Sequence, residues 1–376
     1  MENYRIGIIG YGGFGKFLHH WFDKMENTKV VAIAETGQRT HDIPGCKVYY
    51  DWKELLGDPN IDIVSIVTPP GLHAEMACEA MKAGKHVLLE KPVAITEETA
   101  EEILKVQKET GKIITVNHMI RYNSIMQKVK ELGESGAFGE LRHVVVNNYA
   151  QDEALPIEHW FWDEEMSGGI LVEHGVHFFD IVNSLTKQNF QQVFGASHHR
   201  NSKQRDRVAA MVVYDDGLMG SYYHAFSGPG MFEQTTIQLA YDLARIEIEG
   251  WMPLKGKIHA MVNNKTKAEI SELPGWTIQK SESLESSEDM SRPEGWGSVE
   301  NSNDTATRLF GGIAYPIDEV IRGTFEINQS KGEVYGKCVQ SILSDLIQRI
   351  ENKDHKLKVT IEDGVLALKI ALLASG

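Results

Sequence analysis

Gly10-Tyr11-Gly12-Gly13-Phe14-Gly15 sets three glycines at GxGxxG spacing, between an apolar run from Tyr4 to Gly10 and a helix-periodic stretch from Phe14 to Met25. Strand, tight turn and helix must follow one another here with almost no connecting chain. Gly10 permits the turn, Gly12 lets backbone approach a pyrophosphate, and Gly15 lets the helix lie close on the strand. Free amides at the helix start then face the phosphates. Glu35 closes the next apolar run, 20 residues beyond Gly15, where a dinucleotide fold uses a carboxylate to accept the ribose hydroxyls of NAD. The same carboxylate repels the 2′-phosphate of NADP, although Arg39 could compensate. NAD is favoured and NADP stays open.

The first 120 residues continue in this pattern. Strand-like runs at Lys29 to Glu35, Ile61 to Val67, His86 to Leu89 and Ile113 to Asn117 alternate with helical periodicity at Leu72 to Ala83 and Glu97 to Thr110. Thr96 followed by Thr99, and Asp51 followed by Glu54, read as helix caps. This predicts an α/β fold, a doubly wound parallel sheet over 1–120. After a connecting helix, Asn123 to Gly133, longer alternating runs take over at Leu141 to Tyr149, Val193 to His199, Val208 to Tyr214 and Leu218 to Phe226, with Asp215-Asp216-Gly217 as a hairpin turn. A second α/β domain with a large, open, mostly antiparallel sheet is expected over 121–376. One helix, Met166 to Ser184, interrupts the strands. Ser281 to Asp304 is Ser-rich and acidic, a loop or lid candidate with Trp296 as its one contact-forming feature, and helical spacing returns at Gly332 to Glu351 and Glu362 to Ser375.

Composition narrows the partners. The formal charge of −15 opposes diffuse binding to nucleic acid. Cys46, Cys78 and Cys338 are odd in number and lack any CxxC spacing, so a disulfide framework is not expected and a reducing compartment is. No window supplies the roughly 18 apolar residues of a membrane span and no leader pattern precedes Ile6, so the chain reads as soluble and cytoplasmic.

Chemistry-bearing residues gather at the strand ends. Thr68-Pro69-Pro70 with His73 follows the Ile61 to Val67 run, and Glu90-Lys91-Pro92 follows His86 to Leu89; in open α/β sheets ligands sit at these carboxyl ends. A cis Lys91-Pro92 bond would turn the ammonium into the crevice. Downstream stands Gly168-Gly169-Ile170-Leu171-Val172-Glu173-His174-Gly175-Val176-His177, followed by Asp180. Together these motifs resemble the Gfo/Idh/MocA oxidoreductases, named for glucose-fructose oxidoreductase, inositol 2-dehydrogenase and a rhizopine-catabolism protein. The resemblance implies a Lys, Asp, His catalytic group, falling here on Lys91, Glu173 and His177, and a homo-oligomer, dimer or tetramer, built through the C-terminal sheet. Glu173 departs from the Asp of the inositol dehydrogenases. The cofactor would be held by Gly10, Gly12, Gly13, Phe14, Gly15, Glu35, Thr68, Pro69, His73, Glu90 and Lys91.

The chemistry asks for the same residue types. Oxidising a secondary alcohol of a sugar, cyclitol or glycoside needs a base for the hydroxyl proton while hydride leaves the same carbon, and a neutral imidazole suits that task. His177 is the expected base, with Lys91 stabilising the alkoxide. Glu173, four residues before His177, would share a helix face with it and orient the imidazole. Glu173, His174 and His177, with His118 and His159 in neighbouring motifs, also raise a metal site as a less favoured alternative. Asn117, His118, Arg121, Tyr122, His159, Trp160 and His174 offer polar and aromatic contacts to a sugar or polyol; the run through Phe161 and Trp162 reads equally as core or interface. Two further readings use the same residues: a redox-neutral glycosidase or lyase working by transient oxidation and elimination, and a non-catalytic dinucleotide-binding regulator.

Overall fold

The computed structural model describes residues 4–35, 43–284 and 307–376. Among them, strands β1 (Tyr4–Ile9), β2 (Thr28–Ala34), β3 (Lys47–Tyr49), β4 (Ile63–Ile66), β5 (His86–Leu89) and β6 (Ile114–Val116) form one parallel sheet in the order β3-β2-β1-β4-β5-β6. Their apolar residues are covered on both faces, as a parallel sheet between helices requires: Ile6, Ile8, Ile63 and Ile66 are fully buried. Strand order reverses between β1 and β4, which opens a crevice at their carboxyl ends. The loops after β1, β4 and β5 carry Gly10, Thr68 and Glu90 to that crevice. The helix Glu97–Thr110 starts on Thr96, whose hydroxyl accepts from Thr99 N at 3.2 Å, and ends at Gly111 with φ +64°.

The remaining strands are β7 (Leu141–Gln151), β8 (Phe190–His199), β9 (Arg205–Tyr214), β10 (Met219–Gly228), β11 (Gln234–Tyr241), β12 (Ala244–Glu249), β13 (Lys255–Val262), β14 (Thr277–Ser283), β15 (Thr307–Phe310), β16 (Ile313–Pro316) and β17 (Glu319–Glu326). Apart from the β15–β16 pair, they make one sheet, β14-β17-β13-β12-β11-β7-β10-β9-β8, antiparallel except where β7 meets β10. Gly217, at φ +83°, turns β9 into β10 as the Asp-Asp-Gly signal predicts. One face of this sheet packs on helices. The other leaves Phe194, Met211 and Met219 exposed on neighbouring strands.

Two expectations are corrected. Met166 to Ser184 is not one helix: a short helix Glu164–Ser167 stops at Gly168 and Gly169, both left-handed at φ +74° and +86°. The chain then resumes as a π-helical turn, Leu171–Gly175, and the helix Val176–Ser184. Consecutive left-handed residues cannot continue a right-handed helix. The acidic loop also begins later than expected, because Ser281 to Ser283 pair with β17 in β14. Arg39 and Trp296 lie outside the described residues.

The helices Lys331–Glu351 and Ile361–Ser375 both begin with capping boxes, Ser330 with Glu333 and Thr360 with Asp363. They return to the parallel sheet's layer. Gln340 Nε2 donates to Trp21 O at 2.8 Å, and Thr115 Oγ1 donates to Val359 O at 2.7 Å. Among the described residues no helix is long and apolar enough to cross a membrane.

Candidate active site

The glycine loop leaves room where a dinucleotide needs it. A Cβ at Gly10, whose φ is +93°, would lie 2.7 Å from Val67 O, and one at Gly15 would lie 2.2 Å from Gly10 O, so both are fixed by the fold itself. Gly12 and Gly13 have nothing within 4 Å of such an atom; their Cα positions face open space at the start of the helix Gly13–Phe22. Glu35 lies beside the loop, its Oε2 accepting from Tyr11 N at 3.2 Å. Phe14 stacks with Phe17 and Tyr335 at centroid distances of 5.6 Å each. Gly12→Val should therefore fold with an unchanged melting temperature yet lose dinucleotide binding by calorimetry, whereas Gly15→Val should lower the melting temperature as well. Unaltered NAD affinity in folded Gly12→Val would remove the loop from the binding site.

His73 ties the loop after β4 to the loop after β5. Its Nδ1 lies 2.7 Å from Pro92 O and its Nε2 2.8 Å from Thr68 O, in a fully buried ring. Burial pulls its pKa down to about 4, against the pull of the two carbonyls toward the charged form. Glu90 is also buried and is pushed up to about 7, with Asn117 Nδ2 donating to its Oε1. The Lys91-Pro92 bond is cis. Lys91 Nζ donates to Glu173 Oε1 at 2.5 Å and to Glu173 O at 2.9 Å, with both side chains 14% exposed. This ion pair joins the β5 loop to the π-helical turn.

Glu173 therefore serves Lys91, and no hydrogen bond joins it to His177. In an α-helix residues four apart share a face, but the turn at Leu171–Gly175 is wider, and the carboxylate follows the ammonium instead. Among the described residues no three His, Cys, Asp or Glu side chains converge on a position that could hold a metal ion.

Four imidazoles stand in a row behind this pair. Ring centroids are separated by 6.4 Å from His118 to His177, 5.8 Å from His177 to His174 and 5.4 Å from His174 to His224. Burial lowers the pKa of all four, that of His174 to about 3, and the nearby Lys91 ammonium adds to the effect on His118, His174 and His177. Burial thus favours the neutral form of all four. His177 Nδ1 is buried without a partner, while its Nε2 is left as the accessible nitrogen.

The other expected substrate residues divide. Arg121 Nε and Nη2 bind both oxygens of Asp180 at 2.8 and 2.6 Å, Nη2 lies 3.1 Å from Asp363 and Nη1 donates to Lys358 O at 3.1 Å, so all three nitrogens are engaged within the protein. Tyr122 Oη donates to Asp345 at 2.7 Å, and Asn117 and His118 are no more than 1% exposed. These four lie beneath the crevice. His174 borders it, flanked by Phe226 at 5.2 Å, which itself meets Phe161 at 4.7 Å. His159 and Trp160 are half-buried neighbours with centroids 5.4 Å apart. Three residues went unnoticed in the sequence: Trp251 reaches within 6.2 Å of His177, Tyr335 meets Trp251 at 5.1 Å, and His224 pairs with His174. Only the fold assembles them, since each comes from a separate element.

The model of the Gfo/Idh/MocA oxidoreductase family with NAD-binding Rossmann fold matches residues 4–118, and that of the family's C-terminal domain matches residues 126–247. An NADP-dependent scyllo-inositol 2-dehydrogenase of Bacillus subtilis is 28% identical over 48% of this chain and 51% of its own. A 2,7-anhydro-N-acetylneuraminate hydratase of Mediterraneibacter gnavus is 28% identical over 49% of this chain and 50% of its own. The chain thus spans about half the length of the curated relatives it matches. The crystal structure of myo-inositol 2-dehydrogenase from Lactobacillus plantarum shares the fold at TM-score 0.70, with 20% identity over 98% of this chain and 95% of that one.

Proposed function

We propose, from the premise that the chain belongs to the Gfo/Idh/MocA oxidoreductase family and carries its NAD-binding Rossmann domain, that it oxidises a secondary hydroxyl of a sugar, cyclitol or glycoside. The observation that carries this reading is the Lys91–Glu173 pair, which brings the β5 loop to the turn leading into His177, at the carboxyl ends of β4 and β5. Bound in the glycine loop, a nicotinamide dinucleotide would supply the hydride acceptor. His177 takes the hydroxyl proton on its imidazole, which burial favours in the neutral form. Lys91 hydrogen-bonds the same oxygen and stabilises the alkoxide, and Glu173 holds the ammonium in position. Arg121, Asp180 and Asp363 brace the floor of the site. The exposed Phe194, Met211 and Met219 support a homo-oligomer formed through the sheet's outer face.

Glu35 supports a preference for NAD. Glu35→Ser should narrow the gap between NAD and NADP by roughly tenfold or more through loss of like-charge repulsion; a wild type that already prefers NADP would refute this role. A redox-neutral elimination at the same residues is supported by the likeness to the hydratase. Incubation with NAD and a panel of cyclitols, free sugars and alkyl glycosides separates the readings. Net oxidation accumulates NADH, elimination yields product without it, and a regulator binds NAD with neither.

A further inference from the structure

We infer that the buried His224 fixes His174 as its Nε2–H tautomer, turning it into an obligate hydrogen-bond donor on the crevice side. The two Nδ1 atoms are 3.4 Å apart, so one must carry a proton and the other must accept it. His224 is fully buried, and its Nε2 has no partner among the described residues. Were His224 protonated at Nε2, an N–H donor would be sealed in the core without an acceptor, the arrangement native structures avoid most strictly. Protonated at Nδ1, it donates to His174 Nδ1, and only a bare lone pair is left buried. The proton of His174 must then sit on Nε2.

That nitrogen is the open end of the half-buried ring: it has no partner among the described residues and is not among the sealed, unpartnered atoms. Phe178 lies 5.5 Å from His174 and 5.3 Å from His224, and Phe226 lies 5.2 Å from His174, so apolar rings flank the pair. His174 thereby faces the crevice as a donor. A donor with no accepting lone pair complements a substrate oxygen used as an acceptor: a keto, carboxylate or ether oxygen, or a hydroxyl whose own proton is directed elsewhere. This substrate role of His174 rests on the proposed oxidoreductase activity; the tautomer does not.

Imidazole nitrogen NMR of the full chain, labelled with 15N-histidine and assigned with His174→Gln, reads the tautomers without any substrate. The expected spectrum at pH 7 shows His174 protonated at Nε2 and His224 at Nδ1. His174 protonated at Nδ1 would overturn the inference. His224→Asn, whose amide N–H can replace the Nδ1 donor, should keep the His174 tautomer, and His224→Leu should release it to a mixture; if the leucine variant does not fold, the wild-type and Asn spectra decide. On the most active compound of the panel, His224→Leu should raise KM about tenfold with kcat changed less than about threefold, and His224→Asn should restore KM. An unchanged KM alongside a released tautomer would remove His174 from substrate recognition. Absence of turnover in the wild type would refute the oxidoreductase reading alone, with the spectra still deciding the tautomer.

Discussion

Alanine at His177 or at Lys91 is expected to leave NAD bound while turnover falls by about a hundredfold or more, the scale of losing an acid–base group or an alkoxide-stabilising donor. The two losses have different causes. His177→Ala removes the imidazole proposed as the base. Lys91→Ala removes the donor and also strands the Glu173 carboxylate, 14% exposed, without its cation. Lys91→Arg should not rescue, because a planar guanidinium cannot reproduce a point charge held at 2.5 Å from Glu173 Oε1 and 2.9 Å from its carbonyl. The measurement pairs calorimetry with NAD and initial rates on the best substrate of the panel. Retained turnover in either alanine variant would remove that residue from the mechanism. The pH profile carries a sign of its own: activity rises as His177 loses its proton, and since burial and Lys91 depress its pKa, that rise should be complete below pH 6.5.

Local signals in the sequence carried the parallel sheet. Ile6, Ile8 and Ile9 precede glycines whose spacing has a single structural use, and Thr96, Ser330 and Thr360 cap helices through neighbours three residues away. The site depended on contacts that no window contains. Glu173 was expected to serve His177 because four residues separate them, yet its partner stands 82 positions away, and a π-helical turn removed the assumed register. Gly168-Gly169 was the available warning, since two adjacent glycines inside a helical pattern mark a break. Arg121 looked like a sugar ligand for want of a visible partner; Asp180 and Asp363 reach it only in the folded chain. Trp251, Tyr335 and His224 had no local signature at all.

Stability should fall steeply in mild acid, because imidazoles that bind protons readily in the unfolded chain resist them in the folded one, five of them in or beside the site. His73 is held at about 4 and His174 at about 3, and burial also lowers His118, His177 and His224. A histidine with a depressed folded pKa contributes its full stability above the unfolded value of about 6.5 and loses it as pH falls toward the folded value. Each proton taken up only on unfolding costs about 1.4 kcal/mol per pH unit, so His73 alone accounts for on the order of 3 kcal/mol between pH 6.5 and 4. Glu90 works in the opposite direction. Held at about 7, it favours the folded state most below its unfolded pKa and loses that contribution as pH rises through about 7. One carboxyl does not offset five imidazoles. Against a typical folding free energy of about 5–15 kcal/mol, these losses should destabilise the fold above the pH at which surface carboxylates titrate. Denaturant titrations at pH 5, 6, 7 and 8 should show stability climbing to about pH 7 and then levelling. Replacing His73 with Asn should reduce the slope below pH 6 by about one proton. A stability that stays flat from pH 7 down to pH 5 would mean that these rings are solvated enough to charge in place, and a wet cluster could not keep His177 neutral or His174 locked by His224.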